Sequence, residues 1–374
     1  METTYNRDMT ERPPAIREPT ATAEAASDTD HRPVTPDSER KPSRAGRVVS
    51  LDAARGLAIV VMLAAGNPFQ REHMLEQLRH PQWHGLTFAD LFFPLFLFTM
   101  GVSMMLSRRA GSPRLVLRRV MLLMAIGIAL SSLKHERLFV TGVLQHIAGA
   151  YLLAWLVLRA PRRVQYAIAA GMLAVIWIAY VLWADPGDDP WGMRRTFAHA
   201  VDGWLLGGFK TEGTLQTITS TVTVLGGAFI GRRVKEHPDP RQLLRWVGSH
   251  AGLLILAGLL MALVIPINKR LWTPSFTVLT IGTSCAWWAF LILLMDVRGQ
   301  RWLRPLQELG ANPIAVYIAF IAVRALIDDY REAAPFLAPL GSAVAGTLVY
   351  ALLWLVAGWF LAHVFLRRRI FLKL

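Results

Sequence analysis

The chain has 374 residues, 53% of them hydrophobic and only 18% charged, with 13 tryptophans and a net charge of +14. That mix excludes an ordinary soluble domain, which needs a larger charged surface, and apolar runs of 18 to 24 residues recur that can each cross a bilayer core of about 30 Å. The positive charge lies in short arginine clusters between those runs, which is how topology is set, so a nucleic-acid-binding face is excluded as well. The fold class is all-α: a polytopic integral membrane helical bundle.

Residues 1–46 are rich in Thr, Ala, Pro, Asp, Glu and Arg, with almost no large apolar side chain. They cannot bury enough surface to fold and are expected to form a disordered cytoplasmic tail. The tail has no apolar core near its start, so it does not read as a cleaved signal peptide. Residues 47–374 form the membrane domain. About ten spans are expected, near 49–67, 86–107, 115–133, 138–158, 164–183, 214–232, 243–265, 275–296, 309–327 and 340–366. Alternate flanks carry 24 and 11 Lys and Arg residues, which predicts that both termini are cytoplasmic. The single cysteine, Cys285, sits inside an apolar run; it excludes an intrachain disulfide and reads as a small buried hydrophobe.

The first span opens with "SLDAARG". Asp52 and Arg55 are three apart and share a helix face, so they can pair structurally, or Arg55 can reach an anionic ligand from the cytoplasm. Ser50 is placed to help cap the helix. "GNP" ends this span: Asn67 before Pro68 suits a turn, or its amide can polarise a substrate carbonyl.

The richest stretch is "HPQWHGLTFADLFFP", residues 80–94. Pro81 and Gly85 predict an irregular loop; Thr87 is a candidate cap, with Asp90 three residues on in the first turn. Trp83 fits an interfacial belt. His80 is either a solvated loop residue or a general base or nucleophile for acyl transfer, with Asp90 to orient it. His80 and His84 are four apart, but the proline and glycine beside them argue against a regular helix, and no metal is expected. Further along, "GVLQHIAGAY" sets Gln145 and His146 in the fourth span, facing the bundle interior. "IPINKRLWTPSF" places Asn268, Lys269, Arg270 and Trp272 at the outer face, and "LGANPIAVY" begins the ninth span with Asn312.

Taken in order, "SLDAARG … GNP … H…W.GLTFADLFFPLFLFTMGVS … GVLQHIAGAYL … EGTLQTITSTVTVLGGAFIG … PINKRLWTPSFTVLTIG … GANPIAVY" resembles the heparan-alpha-glucosaminide N-acetyltransferase family over roughly residues 48–325. The resemblance implies transfer of acetyl from cytoplasmic acetyl-CoA to an amino sugar on the far side of a membrane. It maps the family's active-site histidine onto His80 and its asparagine onto Asn67. Asp90 is then expected to support the histidine, and Arg55, Arg108 and Arg109 to hold the phosphates of CoA. The chain departs from the family pattern at His146, where relatives usually carry arginine, and at "KTEG" before "TLQ". Both departures bear on the acceptor, expected here to be an amino sugar or related glycan outside the cytoplasm of a plasma (inner) membrane. Membrane lipids are the other partners, and a homodimer is left open. An O-acyltransferase for glycans and a transporter or flippase are the competing readings.

Overall fold

The computed structural model describes residues 48–66, 75–236, 239–326 and 343–370. The expected disordered tail and Asn67 lie outside them. Among the described residues the regular structure is helical: α1 (Val49–Gly66), α2 (Phe92–Leu106), α3 (Pro113–His135), α4 (Val143–Val157), α5 (Arg162–Trp183), α6 (Phe197–Leu206) and α7 (Thr214–Gly231). There follow α8 (Pro240–Met261), α9 (Pro274–Leu291), α10 (Arg304–Ala311), α11 (Pro313–Leu326) and α12 (Ala343–Arg367). Prolines in the first turns of α3, α8, α9 and α10 mark where these helices start, because the missing N–H has no intrahelical partner there anyway.

Each expected span overlaps a helix. Among the described residues, seven helices are long and apolar enough to cross a membrane, and the pair α10–α11, bent by 77°, makes an eighth if it counts as one broken span. The apolar α4 has only 15 residues. Helix α7 falls short on apolarity, because Thr, Ser and Gln occupy seven of its 18 positions. Most of those residues are tolerated because the helix is interior and Thr217, Thr219, Ser220 and Thr221 bond back one turn, Thr217 to Gly213 O and Thr221 to Thr217 O both at 2.8 Å. The buried Thr223 hydroxyl, by contrast, has no partner among the described residues. In the long connection after α5, helix α6 forms outside every expected span.

The closest packing pairs α1 with α10, α2 with α7, and α8 with α9. Glycine makes these approaches feasible. A Cβ on Gly56 would lie 1.8 Å from Leu306 O, and one on Gly310 would lie 1.6 Å from Asp52 O. Across α2 and α7, Gly101 and Gly227 meet the carbonyls of Val224 and Phe98 in the same way. Backbone-on-backbone contact of this kind supplies dispersion energy where lipid removes the usual apolar drive. Gly310→Ala must therefore push α10 off α1, at a cost of about 1–3 kcal/mol or more. Gly248→Ala, with nothing within 4 Å of its added methyl, should be neutral or slightly stabilising. Melting temperatures of the two variants in one detergent check the contrast.

One large apolar core runs through the bundle. A second, smaller cluster built from Trp83, Tyr180, Trp191, Ile265 and Leu271 caps the end where α1 finishes and α2 begins. Ser50 is the second residue of α1, within its first turn rather than ahead of it, and its hydroxyl accepts from the Trp288 indole N–H at 3.3 Å. Cys285 is buried, as expected.

Candidate active site

The segment before α2 is shaped by its own residues. Gly85 has φ +117°, a left-handed value that strains any side chain, and its N–H donates to Ile267 O at 3.0 Å. Gly85 and Asn268 form an isolated parallel bridge, which ties this segment to the turn between α8 and α9. The buried Trp83 indole donates to Trp191 O at 2.7 Å, so the long loop before α6 is clipped onto the same face. At Thr87 a capping box closes the 3-10 turn Phe88–Leu91, with Thr87 N and Oγ1 both donating to Asp90 Oδ2 at 3.0 Å.

The cap uses only one of the two oxygens of Asp90. The other, Oδ1, lies 2.6 Å from His80 Nδ1, and the Lys269 ammonium is 3.1 Å from the same atom. Asp90 is fully buried, whereas the His80 side chain is 37% exposed. An ionised carboxylate only accepts hydrogen bonds, so Nδ1 carries the hydrogen and the Nε2 lone pair is available to a reacting group. A histidine oriented by a buried carboxylate is the arrangement of a general base or an acyl-accepting nucleophile.

The structure thus brings His80 and Asp90 together, as the sequence indicated. His84 stays outside the pair; it is exposed, and its Nδ1 lies 3.3 Å from the Asn268 amide. The sequence quoted Lys269 without assigning it a place in the site. Its signal was slight: it is one of the few cations on the arginine-poor side of the membrane pattern.

Arg55 lies toward the other end of the bundle. It bonds Asp52 at 2.7 Å, the expected pair, and also Ser103 on α2. From Asp90 to Ser103 is 13 residues of helix, or roughly 20 Å at 1.5 Å per residue. Arg55 borders a cavity of about 700 Å³, which Ser103, Arg118, Arg119, Tyr151 and Asn312 also line. The Arg119 guanidinium stacks 4.5 Å over the Tyr151 ring. The buried Asn312 Oδ1 has no partner among the described residues, which leaves an acceptor unsatisfied beside the cavity. Arg108 and Arg109 follow α2 in the turn Arg108–Gly111 at the same end; their side chains lie outside the described residues. Gln145 and His146 are buried, and His146 packs against the rings of Phe93 and Trp272.

The family model described as heparan-alpha-glucosaminide N-acetyltransferase, catalytic, matches residues 47–251, more than half of the chain. The chain belongs to this family. Heparan-alpha-glucosaminide N-acetyltransferase of Mus musculus is 25% identical over 362 residues, covering 75% of this chain and 54% of the relative. The protein of the same name from Homo sapiens is 33% identical over 121 residues, 28% of this chain and 18% of that one. The chain therefore spans about half the length of the mouse relative. The matched region of the family model contains His80, Asp90, Arg55 and the turn after α2, whereas Lys269 and Asn312 lie beyond it.

Proposed function

We propose that this protein is a membrane-embedded acyltransferase that moves acetyl from cytoplasmic acetyl-CoA to an amino sugar or related glycan outside the cytoplasm. The observation that carries the proposal is the His80–Asp90 pair, on a partly exposed ring at the mouth of the bundle whose Nε2 points away from the carboxylate, with the Lys269 ammonium 3.3 Å from it. Family membership supports the reaction class.

On this reading the arginine-lined cavity opens to the cytoplasm of a plasma (inner) membrane and takes the nucleotide end of the donor, with Arg55, Arg108 and Arg109 toward its phosphates. The 24-to-11 bias in Lys and Arg supports that orientation, with both termini on the same side. The thioester extends toward His80. Nε2 either attacks the acetyl carbon, expelling the CoA thiolate and passing acetyl to the amine, or removes a proton from the amine as that nitrogen attacks. Asn67 polarises the acetyl carbonyl in both routes.

Purified protein incubated with acetyl-labelled acetyl-CoA and glucosamine should yield labelled N-acetyl product. Label that stays on CoA across a range of amine and hydroxyl acceptors would overturn the proposal in favour of transport. Arg55→Ala should raise KM for acetyl-CoA ~10-fold, the loss of about one charged contact, and leave kcat within ~2-fold. A change confined to kcat would remove Arg55 from donor binding.

A further inference from the structure

We propose that Lys269 is a positioning residue for His80: its ammonium lies over the imidazole face and disfavours a second positive charge there, so that Nε2 stays available. The inference rests on the reading of His80 as the reacting histidine.

The geometry comes first. Lys269 Nζ is 3.2 Å from His80 Nδ1 and 3.3 Å from Nε2. The lone-pair directions of the two nitrogens diverge, so one donor cannot be in line with both. A point in the ring plane equally far from both would crowd Cε1 between them, so the ammonium sits over the face. There it attracts the π-system of a neutral imidazole and repels an imidazolium. Since Nζ is out of line with the Nε2 lone pair, that lone pair is left for the reaction.

The lysine is held in place by its turn. Asn268 Oδ1 accepts from Leu271 N at 2.9 Å, Asn268 N donates to Thr273 Oγ1 at 3.1 Å, and Thr273 Oγ1 donates to Pro266 O at 2.8 Å. The Gln216 amide of α7 donates to Arg270 O at 3.0 Å, and the bridge to Gly85 fixes the turn to the histidine segment. A long, flexible side chain on a rigid turn that ends over one ring is an arrangement built around that ring.

The charges near the pair have opposing effects. Asp90, from the 3-10 turn before α2, favours a protonated ring, and Lys269 opposes it. Glu212, before α7, and Arg270, next along the turn, act on Lys269 with opposite signs, and His84 faces Asn268 beside them. Burial pushes the Lys269 ammonium below its ordinary value, with the Asp90 carboxylate pulling the other way. The same burial limits screening, so the ammonium acts strongly on the ring. The consequence for transfer is direct. A proton or an acetyl group arriving at Nε2 makes the ring cationic, and the nearby ammonium raises the energy of that cation, which disfavours its accumulation and favours onward transfer.

Diethyl pyrocarbonate tests this without the enzyme reaction, because only the unprotonated imidazole attacks it, forming an N–C bond as ethyl carbonate leaves. Modification of the His80 peptide is followed by mass spectrometry between about pH 5 and 8 in wild type, Lys269→Gln, Lys269→Met and Lys269→Arg. The neutral variants should move the midpoint up by about one pH unit, and Lys269→Arg should stay close to wild type. Lys269→Gln can still hydrogen-bond Asp90, which guards against misfolding of the methionine variant. The acid limb of kcat should move in the same direction, with activity recovered at higher pH. An unshifted midpoint in Lys269→Gln, or an equal shift in Lys269→Arg, would overturn the inference. A shifted midpoint in a protein that transfers no acetyl would uphold Lys269 and refute the acetyltransferase reading.

Discussion

His80→Ala should lower acetyl transfer by ~10³-fold or more while leaving acetyl-CoA binding close to wild type. The side chain stands at the mouth of the bundle, with Nδ1 committed to Asp90 and Nε2 turned away from that carboxylate, and no other described histidine shares it. His84 is four residues away but has Asn268 as its partner, so it cannot take over the role. Since the ring is partly exposed, its removal should cost little stability. Loss of activity with an unchanged melting temperature and unchanged donor affinity is the expected combination, measured on one preparation.

Asp90→Asn is expected to have the next largest effect, ~10²- to 10⁴-fold in kcat with a small change in KM for the donor. The substitution keeps the shape and can keep the Thr87 cap, but an amide can turn its NH₂ toward Nδ1. That favours the tautomer with hydrogen on Nε2, which neither attacks nor accepts a proton. It also leaves the Lys269 ammonium beside a neutral group instead of the carboxylate 3.1 Å away, and breaking a buried charge pair from one side costs about 3 kcal/mol. Both kcat and the melting temperature should therefore fall. A drop in stability with kcat preserved would make Asp90 only a cap for the turn before α2.

The local part of this architecture was legible in the sequence because its causes are local. Thr87 and Asp90 have the spacing of a capping box, and the box forms. Asp52 and Arg55 are one helical turn apart and pair. Pro113, Pro240 and Pro274 open helices whose apolar runs were plain to read, with starts misplaced by one to three residues because proline belongs to the first turn. What could not be read depends on distance along the chain. Lys269 is 189 positions from His80, and no periodicity connects a turn after α8 with a loop before α2. The cavity has the same character: Arg55, Arg119 and Asn312 come from α1, α3 and the α10–α11 break, and they meet only once the bundle has packed. Helix α7 read as an ordinary span, and its polar side chains are buried inside the bundle, because the bonds of Thr217, Thr219 and Thr221 to its own carbonyls are visible only in three dimensions.

The most direct test of the account uses inside-out membrane vesicles that enclose an amino-sugar acceptor, with acetyl-labelled acetyl-CoA supplied outside. Wild-type vesicles should accumulate label on the enclosed acceptor, and His80→Ala vesicles should not. Equal labelling in the two, or no labelling with any amine or hydroxyl acceptor, would contradict transmembrane acetyl transfer through His80.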